Sequence, residues 1–119
     1  EALLLGIENP QTQDPEIYDL IARGGSIEDL LARRLALRRI APTDSLASRV
    51  VNDPTGNLGI KKLGEEMAEA VKAIIEGNRA GTIAELADAS FWLLANGIRL
   101  GIGSAEIKQE LQTRYIEGS

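Results

Sequence analysis

The stretch KKLGEEMAEAVKAI, residues 61–74, and the TIAELADA that follows it at residues 82–89 decide how this chain folds. In the first, Leu63, Met67, Ala70, Val71 and Ile74 recur at steps of three and four, the period of one helix face. Leu86, Ala89, Leu93, Leu94 and Ile98 continue the same pattern through the second. Gly77-Asn78 stops the first run, and the GNRAG between the two is short, so two antiparallel helices side by side are expected. Each helix also carries acid. Glu65, Glu66 and Glu69 fall within five consecutive residues, and Glu85 stands three residues ahead of Asp88. Helical spacing puts Glu66 with Glu69 on one face, Glu65 about 100° around from Glu66, and Glu85 with Asp88 on one face of the second helix.

Glu69 and Glu85 lie at comparable distances from the loop, so the carboxylates are expected to meet across the helix pair. Two unit charges ~5 Å apart at an effective dielectric of ~20 repel by about 3 kcal/mol. Several such pairs rival the whole stability of a small domain, about 5–15 kcal/mol. Lys61, Lys62 and Lys72 are near but too few to neutralise the group, so a cation is required. The chain contains no histidine and no cysteine. That leaves an all-oxygen donor set, which selects Mg²⁺, with Mn²⁺ as the alternative. Blander readings stand beside this one. Thr82 and Glu85 have the spacing of a capping box. Glu65 and Glu69 can pair with Lys61, Lys62 and Lys72 along a solvated face.

The rest of the chain agrees with a helical domain. At 119 residues it is one domain, 44% hydrophobic and only 3% aromatic, so its core must be aliphatic. No strand pattern or internal repeat interrupts the helical periodicity, and the expected class is all-α. The net charge of −5 argues against nonspecific nucleic-acid binding. No apolar run reaches the ~18–20 residues of a membrane span. The opening EALLLGIENP is too short and lacks the basic leader of a signal peptide, so the expected location is cytoplasmic.

Along the chain, Asp14-Pro15 marks a helix start that runs to Gly24-Gly25. Ser26, with Asp29 three residues on, caps a helix that Pro42 ends; its polar side holds Arg33, Arg34, Arg38 and Arg39. A short helix is expected over DSLASRVV, and NDPTGN at 52–57 is turn chemistry. The first long helix runs from about Leu58 to Glu76, and the second opens at Thr82 and reaches about Leu100. Ser104 caps a last helix that ends near Ile116. Gly64, inside a helix, costs about 1 kcal/mol relative to Ala, and a close helix contact is expected to explain it.

The motif EExxE, here Glu65-Glu66-Met67-Ala68-Glu69, followed after a helix-length gap by ExxD, here Glu85-Leu86-Ala87-Asp88, resembles the MazG-type all-α nucleoside triphosphate pyrophosphohydrolases. Within that superfamily KKLGEE, EGNRAG, ELADASFW and LGIGSAEI are most similar to the phosphoribosyl-ATP pyrophosphohydrolase branch. The resemblance covers roughly residues 30–116, with about residues 1–27 as an extra N-terminal segment of a single domain. Two departures stand out. Phe91-Trp92 occupies the place of the family's aromatic-His pair, and Ser45-Leu46-Ala47 that of its Ser-Tyr-Thr.

The resemblance implies cleavage between the α and β phosphates, yielding a nucleoside monophosphate and pyrophosphate. Glu66, Glu69, Glu85 and Asp88 would hold one Mg²⁺, and Glu65 would bind a second metal or orient the attacking water. Lys62, one turn before Glu66, would meet the outer phosphates, with Lys61 and Ser45 as further substrate contacts. Trp92 and Asn96 continue the stripe of Glu85 and Asp88, and are expected to touch the nucleotide, Trp92 by stacking on a base. The departures favour an ordinary or deoxy nucleoside triphosphate as substrate. Phosphoribosyl-ATP is the alternative substrate, and a non-catalytic helical interaction module the alternative function. One hairpin cannot bury its own apolar stripe, so a homodimer forming a four-helix bundle, or a dimer of dimers, is expected.

Overall fold

A computed structural model of the chain describes Pro15, Asp19 and residues 22–118. Five α-helices follow one another there: α1 (Ile27–Ile40), α2 (Leu46–Asn52), α3 (Asn57–Glu76), α4 (Arg79–Arg99) and α5 (Ser104–Gln112). A π-helical turn, Thr113–Glu117, extends α5. The described residues contain no strand, as the periodicity predicts. The helix expected to open at Asp14-Pro15 falls almost wholly outside the described residues. None of the described helices is long and apolar enough to cross a membrane.

Each helix begins and ends for a local reason. Ser26 accepts from the Asp29 N–H while Asp29 accepts from the Ser26 N–H, the reciprocal cap expected for α1. Ser45 caps α2 by accepting from the Ser48 N–H. The Asp53 carboxylate accepts from the N–H groups of Thr55 and Leu58 at the entrance to α3. Those bonds, with Arg99 nearby, hold its pKa below the usual carboxylate value. Gly77, at φ 71°, ends α3 in the left-handed region that glycine tolerates.

The second long helix starts earlier than the spacing suggests. Asn78 caps it, accepting from the Gly81 N–H, so α4 opens at Arg79 rather than Thr82. The Thr82 hydroxyl instead donates to the Ala73 and Asn78 carbonyls. The last helix is shifted by one residue as well. Gly103 is its cap residue, while Ser104 donates its hydroxyl to Asp29 on α1.

The α3–α4 hairpin is the frame, and its register can be read rung by rung. Thr82 meets Ala73, Lys62 lies over Trp92, and Asn96 Nδ2 donates to the Gly59 carbonyl. Each step of three or four residues down α3 is matched by three or four up α4. At Gly59 the helices are so close that a Cβ would stand 2.6 Å from Asn96 Oδ1 and 3.0 Å from Val50 Cγ1. The contact expected at Gly64 is therefore found one and a half turns earlier, and a Cβ at Gly64 would meet nothing within 4 Å. Helices α1 and α2 close over the open end of this hairpin. Leu35, Val50, Val51, Trp92, Ala95 and Ile98 form the core there. Towards the hairpin tip the buried residues shrink to Ala70, Ala73 and Ala89, which let the two backbones approach.

Candidate metal centre

Halfway along the hairpin, where the core gives out, the acidic residues converge. Carboxylate oxygens of Glu66 on α3 and of Glu85 and Asp88 on α4 all lie within 4.8 Å of one another. Glu66 is 6% exposed, an unusual position for a carboxylate. One of its oxygens, Oε1, pairs with Lys62 Nζ at 2.9 Å. The other, Oε2, is buried and has no hydrogen-bond partner, and the same is true of Glu85 Oε2. Glu69 lies within hydrogen-bonding reach of Glu85. Burial pushes the Glu85 pKa up, and the Glu69 hydrogen bond and the charges of Glu69, Asp88 and Glu66 push it the same way. The hydrogen bond of Lys62 to Glu66 raises the lysine pKa, against the effect of desolvation, and Glu66, Glu65 and Glu69 add to the rise.

The blander readings lose ground on this geometry. Asn78, not Thr82, caps α4, so Glu85 is not held there by a capping box. Glu66 is buried rather than part of a solvated face. Two buried carboxylate oxygens without donors, facing an acidic neighbour, are costly unless a cation meets them. The donors are all oxygen, which fits a hard divalent ion. Beside the group, a cavity of about 360 Å³ opens toward the hairpin tip, lined by Glu69, Lys72, Ala73, Glu76, Asn78, Gly81 and Glu85.

Comparison with known proteins gives this arrangement a family. Residues 29–115 match the phosphoribosyl-ATP pyrophosphohydrolase family, a span that runs from the first turn of α1 through the whole of α2 to α5. The chain belongs to that family. A protein of Methylobacterium nodulans named phosphoribosyl-ATP pyrophosphatase is 34% identical over 74 residues, 62% of this chain and 68% of its own length. One of the same name from Leptospira biflexa is 32% identical over 89 residues, 75% of this chain and 92% of its own length. No solved structure matches. The family is a branch of the MazG-type all-α pyrophosphohydrolases, as the EExxE and ExxD motifs indicate.

The remaining site residues lie outside the three-carboxylate group. Glu65 is exposed on α3, outside the group formed by Glu66, Glu85 and Asp88. Lys61 is exposed as well. Trp92 does not present a free face. It is 9% exposed, part of the core, with Lys62 over its ring and Phe91 edge-on to it at 4.9 Å. Asn96 spends its amide on the carbonyls of Gly59 and Trp92. The Ser45 hydroxyl caps α2 and bonds the Thr43 hydroxyl. Gly59 and Thr82, which fix the hairpin register around the site, escape the sequence reading. A helical glycine looks the same at 59 as at 64, and Thr82 reads as a cap.

Proposed function

We propose that this chain is a phosphoribosyl-ATP pyrophosphohydrolase, acting on phosphoribosyl-ATP with Mg²⁺ bound between α3 and α4. Membership of the family, and relatives bearing that activity in their names, favour this substrate over the ordinary nucleoside triphosphate suggested by Phe91-Trp92 and Ser45-Leu46-Ala47. The observation that carries the metal is the pair of buried, unpartnered oxygens on Glu66 and Glu85.

In this reading Glu66, Glu85 and Asp88 hold Mg²⁺, with Glu69 beside Glu85 completing the acidic wall. The bound ion supplies charge that polarises phosphate oxygens and an attacking water. Glu65, on the exposed side of α3, orients that water toward the α phosphorus. The water oxygen bonds to the α phosphorus as the α–β anhydride bond breaks; pyrophosphate leaves with the bonding electrons, and the proton given up by the water passes to solvent. Lys62 and the exposed Lys61 meet the negative charge of the departing phosphates. Trp92 and Asn96 support this wall from behind, and Ser45 serves chiefly as the cap of α2.

A second copy of the chain completes the structure in this proposal. Met67, Val71 and Ile74 on α3 and Ile83, Leu86 and Leu93 on α4 are exposed together, and Ile75 is 79% exposed. Two such faces packed together make the four-helix bundle that the stripe requires.

The test is an assay of phosphoribosyl-ATP against the common ribo- and deoxynucleoside triphosphates, with Mg²⁺ and with products resolved. Pyrophosphate and the monophosphate from phosphoribosyl-ATP are expected. Preferred turnover of a deoxynucleoside triphosphate would move the assignment to the other substrate class. Release of single orthophosphate, or no Mg²⁺ binding, would sink the reading.

A further inference from the structure

Lys62 and Trp92 form a contact that metal binding alone does not require. The Lys62 ammonium lies 2.9 Å from Glu66 Oε1 and 5.6 Å from the centroid of the Trp92 ring. Both sides of this contact are anchored. Three residues before Lys62, Gly59 brings α3 against α4, and its carbonyl accepts from Asn96. Asn96 also donates to the Trp92 carbonyl, and the indole sits in the core with Val50, Val51, Ala95 and Ile98. An ammonium within about 6 Å of an indole face is attracted by the negative face of the ring, and tryptophan is the strongest such partner. Lys62 is thus held by two attractions of different kind. A divalent cation competes for the first, the carboxylate of Glu66. It does not compete for the second, the buried indole.

We infer that Trp92 is a positioning residue for Lys62: it keeps the ammonium at the rim of the carboxylate group when Glu66 turns to a divalent ion, and so presents it to substrate phosphate. The inference rests on the metal reading proposed above. Glu66 engages Lys62 through one oxygen and has the other buried and unpartnered. Lys62 therefore shares Glu66 with any ion the site takes, and its hold on that carboxylate weakens on loading. A lysine stem released to water regains rotamer freedom, which must be lost again on binding phosphate. The indole removes that cost by keeping Lys62 close. The step is electrostatic placement only, with no bond made or broken.

Trp92 is the only tryptophan of the chain, so its emission reports on this contact directly. Mg²⁺ alone is titrated into the unmodified protein, with calorimetry and tryptophan emission followed in parallel. As the ion takes a share of Glu66 the ammonium settles more fully on the indole, so a saturable change in emission, sharing the calorimetric midpoint and largely lost in Lys62→Met, is the expected result. In steady-state hydrolysis, Trp92→Leu raises KM about two- to fivefold, the size of a moderate cation–π contact, while kcat changes less. Trp92→Phe keeps an aromatic face and recovers most of the loss. In a Lys62→Met background Trp92→Leu adds nothing to KM. Mg²⁺ heat with unmoved emission overturns the inference and leaves the metal reading intact. So does a Trp92→Leu effect of equal size with and without Lys62. Absence of Mg²⁺ heat overturns both. Should Trp92→Leu fail to fold, the titrations of the unmodified protein and Lys62→Met decide.

Discussion

Glu85 must be ionised to hold a cation, yet everything around it resists ionisation. Burial, the hydrogen bond with Glu69, and the charges of Glu69, Asp88 and Glu66 all raise its pKa above the ordinary 4.5. A carboxyl whose folded pKa lies above its unfolded value favours folding at low pH, and that contribution is lost as pH rises through the folded value. In chelator at neutral pH, Glu85→Gln is therefore expected to melt higher than the unmodified protein. Added Mg²⁺ should reverse the order, stabilising the unmodified chain and not the variant, with turnover of the variant down by more than about 100-fold. Calorimetric melting with and without Mg²⁺ checks the first part. The carboxylates were legible in the sequence because spacing alone puts them on facing stripes. Trp92 and Asn96 were not, although they continue the same stripe. Spacing says which face a residue occupies, not what covers it, and at that end of the hairpin α2 brings Val50 and Val51 over the face.

At the scale of the elements, the helix ends carry more than the sequence pattern reveals. The reciprocal cap at Ser26 and Asp29 was legible from residues three apart. Its second use was not, because Ser104 and Lys108 arrive from α5, far along the chain. Burial alone would raise the Asp29 pKa, but hydrogen bonds from Lys108, Ser104 and Ser26 outweigh it and bring it from 3.8 to about 2. A depressed carboxyl contributes stability above its unfolded pKa, and the contribution is lost as pH falls through the folded one. Asp29 is partly exposed, so after solvent screening about 1 kcal/mol is at stake. The unmodified protein is expected to lose that amount between about pH 4 and pH 2. Asp29→Asn should lack the loss and be weaker by a similar amount at pH 7, as denaturant titrations at the two pH values would show. The two glycines inside α3 separate just as sharply. A Cβ at Gly59 would crowd Asn96 and Val50, so Gly59→Ala should cost about 1–3 kcal/mol. Gly64→Ala meets open space and should stabilise by about 0.5–1 kcal/mol.

At the scale of the molecule, apolar burial among the described residues is lopsided. The open end of the hairpin is covered by α1 and α2, whereas its outer face toward the tip keeps Met67, Val71, Ile74, Ile83 and Leu86 exposed. The all-α class was legible from composition and period. The division between covered and bare halves was not, since Leu63 and Leu94 pack on the core while Met67 and Leu93, on the same stripes, do not. If a second copy covers the bare half, Leu86→Arg should turn a dimer into a monomer in sedimentation equilibrium at micromolar concentration while leaving helix content unchanged. The rung-by-rung pairing of α3 with α4 has a further consequence. Adding or deleting one residue between Gly59 and Ala73 would rotate everything beyond it by about 100°. Half of the carboxylates would swing away from the other half. Length changes in this scaffold are therefore confined to the connections outside the hairpin and to its two-residue tip, while the span between its fastenings admits substitution only.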